Sequence, residues 1–176
     1  VKDFTGISVM REVVEVKSQR IDVSGLKDLD RPLYAIENAK AYRDLPESLE
    51  KVSSEEKEIY NKAEVEEKEV NERPCLVKKE IDYDAVDGKG DTNLERMEKG
   101  KPPLIDDKPV ELHHMGQKND GPLVELTSEE HRGAGNDGIL HDKNIESEID
   151  RTEFKKEREQ HWKARAAEVR QERGEA

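Results

Sequence analysis

Pro109-Val110-Glu111-Leu112-His113-His114-Met115 and Gly121-Pro122-Leu123-Val124-Glu125-Leu126 read as two strands, joined by a turn built from Lys118-Asn119-Asp120-Gly121. Thr127-Ser128-Glu129-Glu130 follows at once with the pattern of a capping box, Thr127 as N-cap and Glu130 at the third helical position. The predicted order is therefore strand, strand, helix, with His131 in a first turn directly after the second strand. Neighbours on a regular strand point to opposite faces, so a site that uses both His113 and His114 needs a bulge or a strand end there.

His113, His114, His131, His141 and His161 all lie beyond residue 112, in the C-terminal part of the chain. Neutral imidazole is a common ligand for borderline divalent metals, and its pKa also suits general base work near neutrality. His131 and His141 are separated by the glycine-interrupted stretch Arg132 to Gly138, so they cannot share one helical face, yet they can converge across the loop. Within that stretch, Gly133-Ala134-Gly135-Asn136-Asp137-Gly138 spells G-x-G-x-x-G. No buried strand precedes it, so it is not a dinucleotide fingerprint. Spacing leaves three readings open: a hydrolytic metal site, a structural metal site with four protein ligands, or incidental surface histidines.

Working outward, the chain divides into three zones. From Pro74 onward the sequence holds most of the glycine and proline and every histidine, which sets a boundary between 1–73 and 74–176. Residues 82 to 109 read as loop with one helical turn around Asn93 to Lys99. Asp82-Tyr83-Asp84-Ala85-Val86-Asp87-Gly88 has a calcium-loop look, but its third acid falls one position late and no Glu closes it, which excludes an EF-hand. From Pro46 to about Glu72 the run is rich in Glu and Lys around a narrow apolar stripe and reads as almost wholly helical. Residues 1 to 45 suggest short extended pieces around Val14, Val16, Ile21 and Val23, then a helical turn from Leu33 to Tyr42.

Composition narrows the possibilities. Charged residues make up 42% of the 176 and aromatics 4%, so the core is small and much of the charge belongs on exposed helix faces. The single cysteine, Cys75, excludes an intramolecular disulfide framework and a thiolate zinc site, which leaves His and carboxylates to bind any metal. No run approaches the roughly 18 apolar residues of a membrane span, so no membrane partner is expected. Val1 opens no basic-then-apolar signal sequence, and a first residue other than Met suggests a piece of a longer protein.

The segments Val110-Glu111-Leu112-His113-His114-Met115-Gly116-Gln117, Leu123-Val124-Glu125-Leu126-Thr127, Glu130-His131, Gly135-Asn136 and Ile139-Leu140-His141 together resemble the LHH family. That family belongs to the His-Asn-His/endonuclease VII superfamily and occurs as the toxic C-terminal domain of bacterial polymorphic toxins. Asp91-Thr92-Asn93-Leu94-Glu95-Arg96-Met97 upstream, and Ser147 to Trp162 downstream, resemble its flanking segments, so the likeness covers roughly residues 82 to 165. The resemblance implies an α+β domain with a ββα-metal (His-Me finger) core behind a mainly helical N-terminal extension.

It further implies hydrolysis of DNA phosphodiesters with a divalent cation, whether Zn, Mg, Mn, Ni or Co. His113, His131 and His141 resemble the metal ligands and His114 the general base, while Asn136 is the nearest candidate for the orienting asparagine. Arg96, near the motif, is a candidate to assist the chemistry, and Arg132, Arg151 and Arg158 are candidates to hold substrate phosphate. A monomeric toxin domain is expected, delivered from the producing bacterium into a target-cell cytoplasm and neutralised by a cognate immunity protein.

The net charge of −12 opposes nucleic-acid binding, although residues 151–173 carry eight basic side chains against five acidic ones. The rival class is a charged helical interaction module with a structural metal or incidental histidines. Three imidazoles converging beside an open coordination position would distinguish the enzyme from it.

Overall fold

The computed structural model describes residues 41–175. The expectations for the first 40 residues lie outside this range, and residues 41–44 are not helical. The described residues form one compact unit of α+β architecture: α1 (Leu45–Lys51), α2 (Ser54–Lys62), β1 (Val65–Val70), β2 (Arg73–Lys78), α3 (Asn93–Glu98), β3 (Leu104–Ile105), β4 (Lys108–Pro109), β5 (Glu111–His114), β6 (Leu123–Leu126), α4 (Ser128–Arg132), α5 (Asn136–Leu140) and α6 (Arg151–Glu172).

The sheet order is β1-β2-β6-β5, with β2 parallel to β6 and the other two pairings antiparallel. All four residues of the central β6 are buried, as befits a strand covered on both faces. One face carries Cys75, Val77, Leu112 and Leu123 against Trp162, Ala166 and Val169 of α6 and Leu94 and Met97 of α3. The other carries Leu76, Val124 and Leu126 against Leu45, Ile59 and Tyr60 of α1 and α2 and Leu140 of α5. Cys75 is a free, buried thiol whose pKa burial pushes up to about 12, so it behaves as a small apolar residue.

The stretch 46–72 is not one helical segment. Asp44 and Ser53 cap two short helices, and the chain then enters β1. Val65 to Val70 has the Glu and Lys content of a helix, but Asn71 and Glu72 both take positive φ (51° and 60°), which closes a tight hairpin onto β2. Pairing with the buried Cys75-Leu76-Val77 strand outweighs local propensity. The 73/74 boundary read from composition falls at the start of β2, inside this hairpin's pairing. Residues 82–109 hold α3, as expected, and also a small β3–β4 hairpin turned through Asp106 and Asp107 at positive φ.

The strand-strand-helix order is β5, β6, α4. His113 pairs with Val124 and His114 with Leu123. The Thr127 box is complete: its side chain accepts from the Glu130 amide, and the Glu130 carboxylate accepts from the Thr127 amide. β5 stops at His114, and the chain kinks through Met115–Gln117, where Gly116 takes φ 61° and Gln117 φ 58°. The strand end required by the paired histidines is thus present.

Candidate metal centre and active site

His113 and His114 occupy opposite faces of β5. Leu112 and His114 share the α6 face, whereas Glu111 and His113 share the face covered by α2, α4 and α5. Because β5 is an edge strand, both histidines still reach one cavity of about 710 Å³, which is also lined by His131, His141, Arg132, Phe154 and Trp162. Gly133 makes the convergence possible after α4: a Cβ there would come within 2.6 Å of the Glu129 carbonyl oxygen, so only glycine lets the chain turn back tightly into α5.

The rings of His113, His131 and His141 lie 4.9 to 5.4 Å apart by centroid. One nitrogen from each falls within 4.8 Å of the others, a spacing suited to ligands of a single ion. His131 Nδ1 bonds the Glu111 carboxylate and His141 Nδ1 bonds Asp137 at 3.1 Å. Carboxylates placed this way fix the ring and its tautomer and direct Nε2 towards a cation. Nε2 of His113 and Nε2 of His131 are buried without a hydrogen-bond partner, although Glu56 Oε1 lies 3.5 Å from the former, at the outer edge of bonding distance. Buried ring nitrogens left orphaned beside one another fit a metal site. Among the described residues no fourth His, Cys, Asp or Glu joins the cluster, and three protein ligands facing a cavity match a catalytic rather than a closed structural site.

Burial pushes the His113 pKa down to about 4, against the opposing pull of Glu56, and burial lowers that of His131 as well. Burial also works to raise the Glu111 and Glu56 carboxyls, but hydrogen bonds from the histidines and their neighbours hold both below the usual range. The His113 and His131 imidazoles are therefore neutral and able to ligate at neutral pH. An unfolded histidine titrates near ~6.5, so between that pH and about 4 the unfolded chain takes up a proton that folded His113 refuses. Stability of the metal-free protein is expected to fall over that window, by roughly 3 kcal/mol from His113 alone, and to be insensitive to His113 above it. Urea melts at several pH values check this: the slope in that window should be smaller in His113→Asn than in the wild type.

His114 is buried, with its ring centroid 4.4 Å from that of Phe154 and Nε2 3.2 Å from Glu157 Oε2. Among the other expected residues, Arg132, Arg151 and Arg158 line the cavity together with Lys101 and Lys155. Arg132 is tied to Glu111 through Nε at 2.8 Å, and the Arg158 guanidinium stacks on Phe154 at 4.8 Å. Arg96 is not brought into the cavity lining: it binds Asp87 at 2.6 Å and the Pro102 carbonyl at 3.1 Å, holding together the loops flanking α3. Asn136 is also outside the lining. It donates to the Glu130 carbonyl at 2.8 Å and so fastens α5 to α4. His161 lies in the core, where it binds Glu125 at 2.8 Å.

Residues 92–168 match LHH, described as a nuclease of the HNH/ENDO VII superfamily with conserved LHH. This stretch is similar to the LHH family. Leu112-His113-His114 is its LHH run, and β5, β6 and α4 give the domain its ββα unit. No match was found among curated proteins or among solved structures.

The carboxylates beside the histidines are not singled out by the sequence pattern. Glu111 was within sight, two positions before His113 and hence on the same strand face, and Asp137 stands four before His141 on α5. Glu56 and Glu157 come from distant helices, and no local spacing marks them.

Proposed function

We propose that this LHH-like domain is a metal-dependent endonuclease that hydrolyses DNA phosphodiester bonds. The observation that carries this reading is the cluster of three imidazoles, each with a ligand nitrogen within 4.8 Å of the others, in the wall of the cavity that His114 also lines. A bound divalent cation would supply positive charge against the scissile phosphate and the departing oxygen. Imidazole donors suit Zn, Mn, Ni or Co; Mg favours oxygen ligands and would need substrate and water to complete its shell.

His114 takes the proton of the attacking water. Arg132, Arg151, Lys155 and Arg158 hold the phosphate and its neighbours. The last three stand at i, i+4 and i+7 on α6, a basic face turned to the cavity. Nothing in this face forms a run of stacking aromatics, so duplex DNA is favoured over single strands. The LHH resemblance supports the biological setting: a monomeric toxin domain, delivered into the cytoplasm of a competing cell and held in check in the producer by an immunity protein.

Plasmid cleavage by the purified protein tests the activity. Nicking is expected only with added divalent metal, to be abolished by EDTA, and to fall by more than about 100-fold in His131→Ala together with metal affinity measured by calorimetry. A folded wild-type protein that binds metal yet cuts neither DNA nor RNA would overturn the reading; cleavage of RNA alone would change its substrate. Cytoplasmic expression of the domain should arrest growth of a bacterial host only when the site is intact.

A further inference from the structure

Glu157, on the second turn of α6, has one carboxylate oxygen facing two groups. Oε2 is 3.2 Å from His114 Nε2 and 3.5 Å from Nη1 of Arg73. Arg73 is no ordinary surface cation: its side chain is 4% exposed, it donates to the carbonyls of Gly121 (2.8 Å) and Asn119 (3.1 Å), and it stacks on the Tyr42 ring at 4.4 Å. It is therefore locked to the β5–β6 connection, the same segment whose start places His114. A fixed, buried guanidinium beside Glu157 restricts where the carboxylate can lie.

We infer that Glu157, held by Arg73, is a positioning residue for His114: it keeps the imidazole proton on Nε2 and so puts the basic lone pair on Nδ1. This inference rests on His114 being the base of the proposed hydrolysis. When the ring accepts a proton from water at Nδ1 it becomes an imidazolium, and Glu157 faces the charge that has formed. The carboxylate orients the ring and stabilises its charged form without itself taking the proton, as the aspartate does in a Ser-His-Asp triad. Phe154, packed on the ring, limits its remaining freedom.

The test combines a spectrum with kinetics. Long-range ¹H–¹⁵N correlation spectra of the metal-free protein at about pH 8, where an ordinary histidine is neutral, should show His114 protonated at Nε2 in the wild type and redistributed between tautomers in Glu157→Ala. Cleavage by Glu157→Ala should lose about 10- to 100-fold in kcat, with KM and metal affinity unchanged. Glu157→Gln keeps an acceptor oxygen for both partners and should recover part of the loss, and it remains informative if removing the carboxylate beside buried Arg73 impairs folding of the alanine variant. In a His114→Ala background, Glu157→Ala should cost nothing more. Protonation of wild-type His114 at Nδ1, an unchanged tautomer in a folded Glu157→Ala, a Glu157→Gln no better than the alanine variant, or an equal loss in both backgrounds would each overturn the assignment. If the wild type cleaves nothing, the spectra still decide the positioning role, and only the nuclease reading fails.

Discussion

Replacing Glu125 by Ala is expected to destabilise the domain by about 3–5 kcal/mol, the cost of breaking a buried ion pair from one side. Glu125 is fully buried in β6, and its two oxygens take four hydrogen bonds: from His161 Nε2 (2.8 Å), Arg165 Nε (2.9 Å) and Nη2 (3.4 Å), and the Lys78 backbone amide (2.9 Å). Burial acts to raise the carboxyl, yet the hydrogen bond and charge of His161 and the charge of Arg165 outweigh it and hold it low. Arg165 is correspondingly raised, burial being overcome by Glu125.

Removing the carboxylate leaves a guanidinium and an imidazole in the core without their anion, and also frees the Lys78 amide. The double variant Glu125→Met/Arg165→Met removes both charges and refills the volume, so it should lose less than Glu125→Ala. Urea melts of the three proteins decide it. A Glu125→Ala midpoint close to wild type would mean that the network contributes little and that α6 is held by Trp162, Ala166 and Val169 alone.

This network also shows where the sequence was readable and where it was not. The β5–β6–α4 unit was legible because its signals are local: strand alternation, the turn at Lys118 to Gly121, and a Thr127–Glu130 box that closes over three residues. The meeting of His113, His131 and His141 was implied by the LHH resemblance and left open by spacing alone, because His141 stands beyond α4, at the end of α5. Glu125 was read as one more strand residue, because its partners lie 36 and 40 residues further on. The same distance problem hid Glu157, which stands 43 residues beyond His114.

β1 was hidden for a different reason. Its Glu and Lys residues suit a helix equally well, and only the apolar strand beside it decides the matter. Arg96 and Asn136 were selected for their nearness to the motif, but each satisfies a backbone carbonyl that its own loop would otherwise leave open. Proximity in sequence said nothing about their partners.

The largest effect on activity is expected at His114. His114→Gln should lower the rate of metal-supported cleavage by about 10²–10⁴-fold while leaving metal affinity at the three-histidine cluster intact. The two faces of β5 separate these functions: His113 turns towards Tyr60, His131 and His141, whereas His114 turns towards Phe154 and Glu157. A change at His114 therefore removes proton transfer without removing a ligand, and Gln conserves enough volume to limit collapse of the pocket against Phe154. His131→Ala should behave oppositely, losing metal and cleavage together. Calorimetric titration with Zn or Ni, run beside plasmid cleavage and a melting curve for each variant, distinguishes the two. If folded His114→Gln loses metal as fully as His131→Ala, His114 belongs to the ligand set and the base must be sought elsewhere in the cavity; if it cleaves at the wild-type rate, it has no part in the chemistry.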